Sequence, residues 1–144
     1  MRDGKVYCGE GMHENKGCRL FCVNAADGKP AWEKPFKTKS HTEGAPALIG
    51  NKVLFPAGDD GLFAADAKTG SQLWQFEGGK DKGIHLDAAP AVRGNTVFIG
   101  SELSPFASVA RDAGKTDEQG GTDLHRRAVG APSGAGESAE HGVR

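Results

Sequence analysis

Cysteine is scarce in this 144-residue chain, with only three, and no C-x-x-C-H is present. Covalent haem attachment is thereby excluded, and an odd count makes no disulfide framework. Long apolar runs are missing: none approaches the length needed to cross a bilayer, so no membrane span is expected. An excess of one charge is missing as well. Eighteen Lys and Arg stand against nineteen Asp and Glu, a net charge of −1. That balance gives no electrostatic case for nucleic acid or an anionic membrane as partner. The N-terminus, M-R-D-G-K-V-Y, lacks an apolar signal-peptide core. The chain is therefore expected to be cytoplasmic as written, or an internal piece of a longer exported protein. G-x-S-x-G and H-E-x-x-H are absent, and Gly114-Lys115-Thr116 is no phosphate loop, since Val109 stands where the leading glycine belongs.

Glycine, by contrast, is abundant at 22 residues, and aromatics are few. A turn-rich chain of this length reads as one modest domain of short strands. The strands repeat. Trp32 and Trp74 are 42 residues apart; His41 and His85 are 44 apart, as are Ala45-Pro46 and Ala89-Pro90. K-V-L-F from Lys52 is echoed by T-V-F-I from Thr96 and by K-V-Y-C from Lys5. Each repeat parses into four strands: A-P-A-L-I, K-V-L-F-P-A, L-F-A-A-D and Q-L-W-Q-F in the clearest copy, with turns at Gly50-Asn51, Gly58-Asp59-Asp60-Gly61 and A-K-T-G. In the first copy a longer loop, G-E-G-M-H-E-N-K-G-C, replaces the G-D-D-G turn. Four strands in 42 to 44 residues is the period of a propeller blade.

Physics explains why the phrase recurs. Asp66 can accept bonds from the amides of the turn after it, Thr69 can do so more weakly, and Gly70 can take the left-handed conformation. Trp74 then starts the fourth strand with its indole toward a neighbouring sheet. A blade is stable only between other blades, so each needs a large flat apolar contact at the same place. Trp74 and Phe76 share one strand face, as do Trp32 and Phe36, with Gln75 and Glu33 opposite. Pro35 belongs to an outermost strand, and Pro56 to a strand end or bulge.

The phrase A-x-D-x-x-T-G-x-x-x-W, here Ala64, Asp66, Thr69, Gly70 and Trp74, resembles the tryptophan-docking motif of pyrroloquinoline-quinone (PQQ) type β-propeller repeats. The first copy keeps Gly28 and Trp32, with Asn24 for the Asp and Asp27 for the Thr. The resemblance covers roughly residues 4 to 102. It implies an all-β fold, a partial β-propeller of about two four-stranded antiparallel blades, at 4–36 and 41–77, plus the start of a third at 86–102. The family builds alcohol and sugar dehydrogenases that bind PQQ and calcium, and also outer-membrane assembly scaffolds and sensor domains that bind no quinone. The resemblance thus leaves two functions open. One is a non-catalytic binding or scaffold module of the bacterial envelope; the other is part of a PQQ- and calcium-dependent quinoprotein alcohol or sugar dehydrogenase. PQQ and calcium are implied only for a complete propeller, and no catalytic residue is carried over. Closed propellers need at least about four blades. The implied partners are therefore further blades or other copies of the chain, besides protein partners, with the periplasm or envelope as the parent's place.

The third copy fades. A-R-D-A at Ala110–Ala113 echoes A-A-D-A, but the tryptophan expected at residue 120 is Gly120. Residues 103–144 hold few large apolar side chains and are expected to be a degenerate or disordered tail, either native or the product of a truncation or frameshift.

Three groups of residues invite a chemical reading. His41 with Glu43 and His85 with Asp87 occupy equivalent H-x-acid-x-Ala-Pro positions, where imidazole and carboxylate suit a divalent metal. Equally, each His can bond a neighbouring loop while each acid caps a turn. Asp59-Asp60 suggests calcium, but two adjacent acids more often mark a solvated hairpin tip. Pairing the hairpin so that Phe55 faces Ala64 puts Cys8 and Cys22 opposite each other, a candidate disulfide, with two buried thiols as the alternative. Cys18 shares its loop with His13 and Glu10, a small metal site in prospect.

Overall fold

Among the described residues ten strands form in chain order: β1 (Lys5–Gly9), β2 (Arg19–Asn24), β3 (Phe36–Lys37), β4 (Ala47–Ile49), β5 (Lys52–Pro56), β6 (Gly61–Asp66), β7 (Gln72–Glu77), β8 (Ala91–Arg93), β9 (Thr96–Ser101) and β10 (Ser104–Ala110). The computed structural model describes residues 3–12, 16–79, 81, 83–94 and 96–101, together with the backbone of 104–110. His13, Asn95, Gly114-Lys115-Thr116 and the tail from 111 lie outside them.

Every pairing between these strands is antiparallel and joins neighbours in sequence. The sheets run β1-β2-β3, β4-β5-β6-β7 and β8-β9-β10. The second is the complete four-stranded unit that the repeat predicts. The first and third have three strands each among the described residues. The third reaches Ala110, eight residues past the end expected for the repeats.

Alternation along β5 and β6 explains why the sheets stack. Val53, Phe55, Ala57, Phe63 and Ala65 face the first sheet, where they meet Leu20, Cys22, Trp32 and Phe36. Leu54, Leu62 and Ala64 face the third sheet, against Ile84, Leu86, Val97 and Ile99. All five residues of β5 are buried. A strand flanked on both faces reads as a continuous apolar run rather than an alternating one. Three phenylalanines fill the first interface: the Phe36 ring meets Phe55 and Phe63 edge-on, with centroids 5.0 and 5.2 Å away. Pro56 ends β5, where its missing N–H disturbs no further ladder bond.

One expectation about register and one about strand placement are corrected. The sequence alone places Phe55 opposite Ala64; the structure pairs Phe55 with Phe63 and Leu54 with Ala64. The reason is the turn. The Ala57 N–H donates to the Gly61 carbonyl, closing a three-residue connection, Gly58 to Asp60, rather than the two-residue Asp59-Asp60 turn. One extra residue moves the pairing by one position and exchanges strand faces. Trp32 also differs. It lies in an irregular segment before β3, between Pro30 and Pro35, whereas Trp74 lies within β7, opposite Ala64. Neither proline can donate to a ladder, which keeps this stretch out of regular pairing.

The two turn phrases nevertheless close alike. The Gly70 N–H donates to the Asp66 carbonyl and the Gly28 N–H to the Asn24 carbonyl, each at 2.8 Å. Both glycines are left-handed, with φ of 77° and 70°.

Candidate functional site

Among the polar contacts that join the sheets, two sets involve the motif residues. The first centres on the turn after β6. Asp66 Oδ1 accepts from the amides of Lys68 at 2.9 Å and Thr69 at 2.8 Å, and from the Thr69 hydroxyl at 3.1 Å. Burial pushes the Asp66 carboxyl up. The Thr69 and Lys68 amides, the Thr69 hydroxyl and the Lys68 charge together outweigh it and hold the carboxyl below its ordinary value. In the first copy Asp27, standing for Thr69, accepts from the Lys29 amide at 3.0 Å, as Thr69 Oγ1 does from Ser71 at 3.2 Å.

Onto this turn comes the indole of the preceding sheet. Trp32 is 4% exposed, and its Nε1–H donates to the Ala67 carbonyl at 3.1 Å. The Tyr7 hydroxyl donates to the same oxygen at 3.0 Å, with the two rings edge-to-face. A Cβ on Gly70 would sit 2.7 Å from Trp32 Cδ2. Glycine is thus needed there for contact as well as for φ. Trp74 packs beside the second apolar cluster, with Phe76 and Leu73. The third-copy turn that follows the Asp112 echo of Asp66, equivalent to 67–70, lies at 113–116, outside the described residues.

The second set centres on the Gly58–Gly61 turn. Its acids do not form a solvated tip. Asp60 Oδ2 accepts from the Lys39 amide at 2.6 Å and the Ser40 amide at 3.2 Å. Asp59 Oδ1 lies 2.6 Å from His85 Nδ1, and the Asp59 amide donates to Ser40 Oγ at 3.2 Å. Gly58 and Leu86 exchange backbone bonds at 3.0 and 3.1 Å. One turn of the second sheet therefore holds both the segment arriving from the first sheet and the segment leaving for the third.

At that junction the structure brings together His41, His85 and Asp87. His41 Nε2 lies 3.0 Å from Asp87 Oδ1, and His85 Nε2 lies 3.0 Å from Asp87 Oδ2. The two imidazoles meet edge-on, with centroids 5.1 Å apart. Glu43, expected to join them, is exposed and is not among the three residues whose ligand atoms converge. Asp59 takes the outer position instead. It was not legible because it comes from a turn 26 residues before His85, in a different strand pair.

This donor set does not fit the calcium of a quinoprotein. Calcium takes six to eight oxygens. Here two of the converging atoms are imidazole nitrogens, while Asp59 and Asp60 turn apart, toward His85 and toward backbone amides.

The cysteine expectation is corrected. Cys8 pairs with Phe21 and Cys22 with Tyr7, so the two thiols project from opposite faces of the sheet. All three cysteines are free thiols; Cys8 is exposed, while Cys18 and Cys22 are buried. Burial pushes the Cys22 thiol up. Near Cys18, the Glu10 carboxylate is taken by Arg19 at 2.6 Å, and His13 is outside the described residues.

The sequence aligns with two curated proteins of different activity. It is 29% identical over 99 residues to quinoprotein alcohol dehydrogenase PedH of Pseudomonas putida, covering 64% of this chain and 17% of that protein. It is also 29% identical over 98 residues to the outer membrane protein assembly factor BamB of Burkholderia pseudomallei, covering 67% of this chain and 23% of that protein. The chain thus spans about a fifth of the length of these relatives. In three dimensions it resembles BamB from Moraxella catarrhalis, with a TM-score of 0.56 and 21% identity over 77% of this chain and 31% of that one. This last likeness supports the propeller-type fold. A family model, that of outer membrane protein assembly factor BamB, matches residues 2–142, and the chain belongs to this family of PQQ-like repeats.

Proposed function

We propose that this chain supplies consecutive blades of a PQQ-like propeller that serves as a non-catalytic binding or scaffold module of the bacterial envelope. The observation that carries the reading is where the motif residues go. Asp66, Thr69 and Gly70 form a turn that receives Trp32, and Asp59 and Asp60 hold the segments on either side of their sheet. These polar positions thus join neighbouring sheets, the use expected in a repeat scaffold. The 29% identity to an outer membrane protein assembly factor supports the same reading. Partners of such a module are further blades, other copies or other proteins.

The second reading, part of a PQQ- and calcium-dependent quinoprotein alcohol or sugar dehydrogenase, rests on the equal identity to PedH. In such an enzyme the bound quinone would supply the oxidising chemistry at the centre of a complete propeller. Fold does not decide between the two. Titration of the purified chain with PQQ and calcium, read by tryptophan fluorescence and dye-linked alcohol oxidation, discriminates them. The scaffold reading expects neither saturable quenching nor turnover. Saturable quenching with turnover overturns it.

A further inference from the structure

We propose that His41 Nε2, His85 Nε2 and the Asp87 carboxylate bind one divalent first-row transition ion, best represented by Zn²⁺, at the junction of the second and third sheets. The inference is independent of the scaffold reading.

The first support is convergence. One ligand atom from each residue lies within 4.8 Å of the others, and both Nε2 atoms are 3.0 Å from Asp87 oxygens. A tetrahedral zinc ion with bonds of about 2.1 Å separates its ligand atoms by about 3.4 Å. Small side-chain rotations therefore suffice, with a fourth position left for water. The three side chains are buried or nearly so, at 5%, 13% and 18% exposure.

The second support is a count of protons. His85 touches two carboxylates, Asp59 Oδ1 at 2.6 Å through Nδ1 and Asp87 Oδ2 at 3.0 Å through Nε2. An ionised carboxylate only accepts, and a neutral imidazole has one N–H to give. If Nδ1–H donates to Asp59, the Nε2 lone pair faces an oxygen lone pair. Either a second proton or a cation between Nε2 and Asp87 resolves this. His41 Nε2 faces the same carboxylate, so a cation seated there would take a lone pair from both imidazoles. Asp59 then takes the role that a carboxylate commonly plays behind a metal-bound histidine: it fixes the tautomer and turns the ring.

The third support is placement. Asp59 stands in the β5–β6 turn, His41 before β4, and His85 and Asp87 before β8. An ion here ties the start of the second sheet to the start of the third. The position of His85 is itself fixed, since its amide donates to Ser101 Oγ at 3.1 Å. Two imidazoles with one carboxylate favour a borderline ion over Ca²⁺ or Mg²⁺.

The test is calorimetric titration of the chelator-treated, full-length chain with ZnCl₂, repeated with CoCl₂ and read by visible absorption. The expected results are one equivalent of Zn²⁺ and the visible bands of tetrahedral Co²⁺. Affinity should fall at least tenfold in His85→Gln and in Asp87→Asn, and about 10- to 100-fold in Asp59→Asn. It should be unchanged in Glu43→Gln, with folding of each variant checked by circular dichroism. Failure of the folded wild-type chain to take up Zn²⁺ overturns the proposal without recourse to any variant. So does Zn²⁺ binding that survives in the His41→Gln/His85→Gln double variant, or Ca²⁺ binding as tight as Zn²⁺ binding.

Discussion

The Trp32 indole N–H donates to the Ala67 carbonyl, 35 residues onward and one sheet away, at 3.1 Å. This bond lets a large aromatic be buried without leaving its one polar atom unsatisfied. Truncating a buried tryptophan costs roughly 3–5 kcal/mol, so a single such contact per junction is a large share of what joins two small sheets. Gly70, Asp66 and Tyr7 are each placed to serve it.

Acidification should act through Asp66. Its carboxyl is held below the ordinary value, so its contribution is fully present above the unfolded value near 3.8 and disappears as pH falls through the lower folded value. Urea midpoints measured between pH 5 and pH 2 should fall more steeply for the wild type than for Asp66→Asn, which keeps an accepting oxygen but cannot titrate. Parallel curves would remove Asp66 from the acid response.

Asp60→Ala should cost about 2 kcal/mol, because the Lys39 and Ser40 amides lose a charged acceptor. Hydrogen exchange at those two amides should accelerate in the variant, while exchange within β5 and β6 changes less. Unchanged exchange at Lys39 and Ser40 would show that the carboxylate does not hold this segment.

Native-state alkylation should modify Cys8 quickly and spare Cys18 and Cys22, which are buried, until urea unfolds the chain. Mass spectrometry of the oxidised, unreduced protein should find no Cys8–Cys22 link within one chain, since the two thiols leave opposite faces of the sheet. Rapid labelling of all three, or that link in the folded protein, would contradict the register.

What the sequence disclosed was local or periodic. Asp66, Thr69 and Gly70 lie within five residues, so their turn chemistry can be read in one glance along the chain. The 44-residue spacing of His41 and His85 likewise implies equivalent places on adjacent sheets. The contacts that were missed depend on geometry between segments. Asp59 reaches His85 from a three-residue connection closed by Ala57 and Gly61, 26 residues before it in the chain. The same one-residue difference moved Cys8 away from Cys22 in the analogy drawn from it. The placement of Trp32 outside a strand follows from its two flanking prolines, which the resemblance to the Trp74 phrase concealed.

The most direct test compares Gly70→Ala with Gly28→Ala. Both glycines close the same turn with nearly equal positive φ, so both substitutions carry the left-handed penalty of about 1–2 kcal/mol. Only at Gly70 does the new methyl meet an indole, 2.7 Å from Trp32 Cδ2; at Gly28 nothing lies within 4 Å. Denaturant unfolding should therefore show Gly70→Ala less stable than Gly28→Ala by a further 1–3 kcal/mol or so, and the gap should close in a Trp32→Leu background. Equal losses in the two variants would contradict the claim that Trp32 joins the first sheet to the second.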